Sequence, residues 1–196
     1  MKIKPLEITL VSLFVVLIAI GANITSIIPF AVIGGVPITL QTFFAILAGL
    51  VLGSRLGVIS TSVYALMGLI GLPVFARFSG GLGTLLSPTF GFILTFILAA
   101  YVCGKMVEGK QTVAPYIAAA LTGTAINYIL GTTWMYYVYR FWADAPKGFS
   151  YGMAWLWMLP PLPKDIILAF VAGVFAHRLR VSVLSKSRFK HVNLGV

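Results

Sequence analysis

The segment ITLVSLFVVLIAIGANITSIIPFAVIGGVPITLQTFFAILAGLVLGS, from Ile8 to Ser54, contains no charged side chain. It is far longer than the roughly 20 apolar residues that cross a bilayer once. Charges appear only at its margins, as Lys2, Lys4 and Glu7 before it and Arg55 after it. The same balance holds along the whole chain. Its 196 residues are 60% hydrophobic and 9% charged, with mean hydropathy +1.03. Inside lipid every backbone N–H and C=O must be satisfied within the fold, and helices do this segment by segment. The expected fold class is therefore an all-α integral membrane protein, with 1–196 forming a single transmembrane domain. The opening Met1-Lys2-Ile3-Lys4 followed by an apolar run resembles a secretory signal. That run is 21 residues long and everything after it is equally apolar, so it reads as the first span.

Six helices are predicted: 8–28, 40–53, 56–72, 88–104, 113–139 and 163–180, followed by a basic tail, 181–196. Thr39 is the expected N-cap of the second helix. Ser87-Pro88, a cap followed by proline at the first helical position, opens the fourth. The second and third helices are short for a hydrocarbon core of about 30 Å. They must tilt or sit against loops that fold into the membrane.

This topology sorts the basic residues. Ten of the 14, Lys2, Lys4, Arg55, Lys105, Lys110, Arg178, Arg180, Lys186, Arg188 and Lys190, fall on one side. Arg77, Arg140, Lys147 and Lys164 fall on the other. The positive-inside rule puts the first side, and both termini, in the cytoplasm. The formal charge of +10 is thus an orientation signal, with anionic-lipid contact by the tail as a minor addition, and implies no nucleic-acid partner. A single cysteine, Cys103, forbids an internal disulfide and finds no metal-ligand partners. His177 and His191 lie in or near the basic tail, and no nucleophile–base pair stands at membrane depth. An enzyme is not expected, and no cofactor or metal is implied. Trp134, Tyr136, Tyr137, Tyr139, Phe141, Trp142, Trp155 and Trp157 crowd the outer end of the fifth helix and the loop after it, as an interfacial aromatic belt does.

Polar groups that membrane packing explains poorly converge at one depth. Gln41 opens the second helix. Arg77 and Ser79 lie in the outer loop between the third and fourth. Asn127 lies about 21 Å along the fifth helix from its cytoplasmic start. Lys164 and Asp165 open the sixth, in a chain with only 4 acidic residues. Each has a structural alternative: a helix cap for Gln41, headgroup contact for Arg77, a turn for Ser79 and interhelical hydrogen bonding for Asn127. For Lys164 the alternative is snorkelling, and for Asp165 a helix-dipole partner. Together they describe a small-molecule site open to the outside. The outer loop, 71–89, is apolar and glycine-rich with Arg77 its only charge. Such a loop at membrane depth packs on protein or lines a cavity, as a lid does.

The strings Val36-Pro37-Ile38-Thr39-Leu40-Gln41-Thr42, Leu47-Ala48-Gly49 with Leu52-Gly53, Gly71-Leu72-Pro73-Val74-Phe75-Ala76, Gly80-Gly81 and Pro88-Thr89 with Gly91-Phe92 resemble the BioY family. These are the biotin-binding S components of energy-coupling-factor (ECF) transporters. The likeness covers about Leu6 to Arg180. It implies a six-helix S component in a bacterial cell membrane that captures biotin at its outer face. Its partners would be a transmembrane coupling subunit and cytoplasmic ATPase subunits, since the chain has no nucleotide motif. An S component for thiamin or riboflavin is the nearer rival and an intramembrane enzyme the more distant. Under this resemblance Asp165 and Asn127 meet the ureido ring, and Lys164 or Arg77 meets the carboxylate or polarises the ureido oxygen. Phe75, Phe92 and Tyr128 are candidate walls. The family's sixth helix reads Asp-x-x-Lys, whereas here Leu168 occupies the second position and a lysine precedes Asp165. On the first helix Ser12 and Val16 occupy the small-residue positions that dock on the coupling subunit.

Overall fold

The computed structural model describes residues 4–24, 32–33, 36–37 and 39–181. The expected helix at 25–28, Ile38, Lys2 and the tail at 182–196 lie outside the described residues. The described chain forms α1 (Pro5–Asn23), a two-residue hairpin of β1 (Val32–Ile33) and β2 (Val36–Pro37), α2 (Gln41–Leu69), α3 (Phe90–Val107), α4 (Val113–Phe141), α5 (Tyr151–Met158) and α6 (Leu162–Leu179). Four of these, α1 to α4, are long and apolar enough to cross a membrane. The pair α5–α6, bent by 57° at a short break, is long and apolar enough only when taken together.

Helix α2 is two helical arms merged across a kink. Gly53 sits at φ 82°, ψ 174°, a conformation open to glycine alone. On a straight helix Gln41 and Tyr64 would stand about 35 Å apart. Instead the Gln41 amide donates to the Tyr64 hydroxyl. The chain therefore reverses at Gly53 into two antiparallel arms, 41–52 and 54–69. A Cβ on Gly57 would lie 2.8 Å from the Gly49 Cα, and one on Gly49 would lie 2.3 Å from the Ala100 carbonyl oxygen. Small residues let backbones approach in lipid, where no hydrophobic force draws helices together. The two short helices expected at 40–53 and 56–72 are these arms, joined without a loop.

Other boundaries shift for local reasons. Leu40 rather than Thr39 is the cap residue of α2, although the Thr39 hydroxyl accepts the Gln41 N–H at 3.4 Å. Ser87 does not cap α3. Its hydroxyl is 2.9 Å from that of Thr89 and accepts the Thr89 N–H at 3.2 Å, a turn that delays the helix to Phe90. The unforeseen element is α5, in the aromatic loop before α6. Ser150 caps it by accepting the Met153 N–H at 3.2 Å, and Pro160-Pro161 follows its end. Much of the expected aromatic belt packs inward here: Tyr139, Phe149 and Trp157 form ring contacts at 5.0–5.7 Å. Tyr137, Phe141 and Trp142 remain exposed.

The end of the bundle near Arg55 is tied by charge. Buried Glu7 accepts the Lys4 N–H at 2.9 Å and faces Arg55 at 4.0 Å, joining α1 to the reversal of α2. Ser54 donates to Glu108 at 2.8 Å and Lys105 pairs with the same carboxylate at 3.0 Å. The candidate site lies at the opposite end.

Candidate functional site

At the Gln41 end, α2, α3, α4 and α6 diverge around a cavity of about 340 Å³. Its size falls in the range of small-molecule pockets, about 300–1,000 Å³. All nine residues singled out above line it: Gln41, Phe75, Arg77, Ser79, Phe92, Asn127, Tyr128, Lys164 and Asp165. The loop between α2 and α3 supplies one wall through Phe75, Ala76, Arg77 and Ser79. Phe75 packs edge-on against Tyr64 and Phe90 at 5.5 and 6.3 Å, which fixes the aromatic lining.

The charged corner sits where α6 begins. Lys164 Nζ lies 2.7 Å from Asp165 Oδ1 and also donates to the Thr39 carbonyl. Tyr128 donates its hydroxyl hydrogen to Asp165 Oδ2 at 2.6 Å. Asp165 is buried while Lys164 is half-buried. Taking a carboxylate out of water is costly unless it is paired and hydrogen-bonded. The cation and the phenol meet that cost and leave lone pairs on both oxygens for a ligand donor. Leu168 does not line the cavity; it lines a separate small crevice with Thr42, Phe43, Ile46 and Thr124. Lys164 alone therefore brings the cation of α6 to the cavity wall.

Asn127 is more committed than its sequence context suggested. Its Nδ2 donates to the Phe92 carbonyl at 2.9 Å and to the Thr95 hydroxyl at 2.6 Å. Its Oδ1 accepts from the Thr42 hydroxyl at 3.4 Å. The amide thus joins α2, α3 and α4 beneath the cavity and keeps one acceptor site. Gln41 donates to Tyr64, whose hydroxyl donates to the Val74 carbonyl at 3.0 Å. Ser79 donates to the Ala76 carbonyl at 2.9 Å, so the turn reading of Ser79 holds while its residue lines the wall. Arg77 is exposed at the rim.

Thr39, Thr42, Ser87, Thr89, Tyr139 and Met158, not expected there from the sequence, also line the cavity. Thr39 and Thr42 flank Gln41, so the turn of helix that carries it was itself the signal. Tyr139 and Met158 come from the aromatic segment and had no separate signal.

The sequence model of the BioY family matches residues 1–185. The chain belongs to the BioY family. Among BioY relatives, the biotin transporter BioY of Thermotoga maritima is 40% identical over 169 residues, 86% of this chain and 92% of its own. The biotin transporter BioY of Rhodobacter capsulatus is 37% identical over 186 residues, 88% of this chain and 92% of its own. A crystal structure of the S-component for biotin from an ECF-type ABC transporter superposes with a TM-score of 0.76. It covers 92% of this chain and 96% of its own at 23% identity, a likeness of fold.

Proposed function

We propose that this BioY-family protein captures biotin in the cavity between α2, α3, α4 and α6 and serves as the substrate-binding component of an ECF-type transporter. The observation that carries this is the Lys164–Asp165–Tyr128 corner in a cavity of about 340 Å³ whose apolar walls include Phe75, Phe90, Phe92 and Phe96. Biotin offers two ureido N–H donors, a ureido carbonyl, an apolar thioether ring and a carboxylate tail. Asp165 accepts a ureido N–H. Lys164 or Arg77 meets the carboxylate or the ureido oxygen. Phe75, Phe92 and Tyr128 enclose the rings, and Gln41, Ser79 and Asn127 complete the polar lining. Hydrogen bonds to charged groups contribute about 1.5–3 kcal/mol each, so two or three set specificity.

The cavity end faces outside in this reading. Lys4, Arg55, Lys105, Lys110, Arg178 and Arg180 mark the cytoplasmic end of a bacterial plasma membrane protein with both termini inside. The protein transforms no bond. Energy comes from cytoplasmic ATPase subunits through a transmembrane coupling subunit. Calorimetry on the detergent-purified chain tests the reading: biotin binds, while thiamin and riboflavin do not. Binding of either rival in place of biotin, or failure of all three, removes the assignment.

A further inference from the structure

The loop that walls the cavity holds a conformation its own residues resist. Arg77 and Phe78, neither of them glycine, both adopt positive φ, at 61° and 54°. L-residues take up that region in succession only where the surroundings impose it. Within the turn the Phe75 N–H donates to the Ser79 carbonyl at 3.1 Å and the Ser79 hydroxyl to the Ala76 carbonyl at 2.9 Å. A hold from outside the turn comes from the last residue of α1. Asn23 Oδ1 accepts the Phe78 N–H at 2.7 Å. Its Nδ2 donates to the Val74 carbonyl at 3.3 Å and to the Ala19 carbonyl at 3.0 Å. Tyr64 donates to the same Val74 carbonyl from the other side at 3.0 Å. One amide thus grips both flanks of the turn, which requires a donor and an acceptor on the same short side chain. Asn23 is 7% exposed and does not line the cavity. Between its two grips lie Phe75, Ala76 and Arg77, all of them cavity wall.

We propose that Asn23 is a positioning residue for ligand binding: from α1 it clamps the 74–79 turn in its left-handed form and so sets the cavity wall without touching the ligand. This rests on the biotin-binding reading above, and the unaltered chain separates the two, because its failure to bind biotin tells against that reading alone. The experiment combines biotin calorimetry with hydrogen–deuterium exchange on ligand-free protein. Asn23→Ala is expected to weaken biotin binding by at least about tenfold and to speed exchange in 74–79 while the helices stay protected. Phe78→Gly, which adopts positive φ freely, leaves binding unchanged alone and in the double variant restores at least about threefold of the loss. Asn23→Asp keeps the acceptor and the size but loses both donated bonds; it serves if Asn23→Ala does not fold, and is also expected to bind biotin more weakly. The proposal is overturned if the folded variants bind biotin like the unaltered chain, if exchange rises equally throughout the helices, or if Phe78→Gly recovers nothing.

Discussion

Tyr128 and Asp165, 37 positions apart, meet through a hydroxyl–carboxylate hydrogen bond of 2.6 Å between α4 and α6. The bond fixes the carboxylate rotamer at the cavity wall and satisfies the oxygen that Lys164 does not reach. Tyr128→Phe keeps the ring and removes the hydroxyl. Biotin affinity in calorimetry is expected to fall by roughly 10- to 150-fold, the loss of one hydrogen bond to a charged group. An unchanged affinity would show that Asp165 is oriented by Lys164 alone.

Under the proposed biotin-binding reading, Lys164 and Arg77 are the two candidates for the ligand cation. Lys164 is held over the cavity by Asp165 and the Thr39 carbonyl, whereas Arg77 stands exposed on the rim. Lys164→Ala is therefore expected to cost about 1.5–3 kcal/mol of binding and Arg77→Ala less, since an exposed charge is screened. Biotin methyl ester, lacking the anionic tail, is expected to bind more weakly to the unaltered chain. The reverse ranking of the two variants would assign the role to Arg77.

Among the described α-helices, Gly53 carries the one sharp reversal. Any side chain at φ 82° is strained by about 1–3 kcal/mol. A Cβ on neighbouring Gly104 would also lie 2.2 Å from the Ser54 nitrogen, so the reversal has no room to relax toward α3. Gly53→Ala is expected to lower the thermal unfolding temperature in detergent, with biotin affinity lost only as the fold is lost. A variant as stable as the parent would show that the backbone there adjusts.

These residues show what a sequence can reveal of such a site. Lys164 and Asp165 stood out because charge at membrane depth is rare, and Gln41, Arg77, Ser79 and Asn127 because their places in the topology shared a depth. Depth is one coordinate, however, and hydrogen-bond partners depend on the other two. Nothing in the spacing of Asn127 revealed that Phe92, Thr95 and Thr42 occupy its amide. Asn23 looked like any polar residue in an apolar run, because its partners Val74 and Phe78 lie more than fifty positions away. Helix α5 escaped notice because Trp155 and Trp157 suit a membrane interface as well as a packed helix. The reversal in α2 was visible as two short helices, but the absence of a loop between them depends on the φ of Gly53.

Glu108 reports on the opposite end of the bundle. The hydroxyl of Ser54, then Lys105 beside it, hold its carboxyl below the usual carboxylate range. A folded-state value below the unfolded one contributes stability that is present above the unfolded pKa. That contribution is lost as pH falls through the folded value. Glu108→Gln is expected to unfold at a lower temperature than the parent at pH 7, with the gap closing as pH drops below about 4. A gap independent of pH would mean that the carboxylate charge contributes nothing.

Helix α1 offers a surface that the other described helices leave exposed. Ile8, Ser12, Val16 and Ile20 recur every fourth residue and are all exposed, forming one ridge on a span whose other face packs into the core. Ser12 is the small residue on that ridge, and small residues are what let a partner helix approach closely in lipid. Under the proposed ECF reading, a coupling subunit is expected to dock at Ser12, with half-buried Ala19 one heptad further along. Ser12→Leu fills the approach without disturbing the cavity, which takes no lining residue from α1. Biotin binding by the isolated chain is expected to persist, while biotin uptake by cells carrying the full transporter falls to background. Normal uptake by Ser12→Leu cells, or uptake by this chain alone in proteoliposomes without ATP, would exclude docking through that ridge.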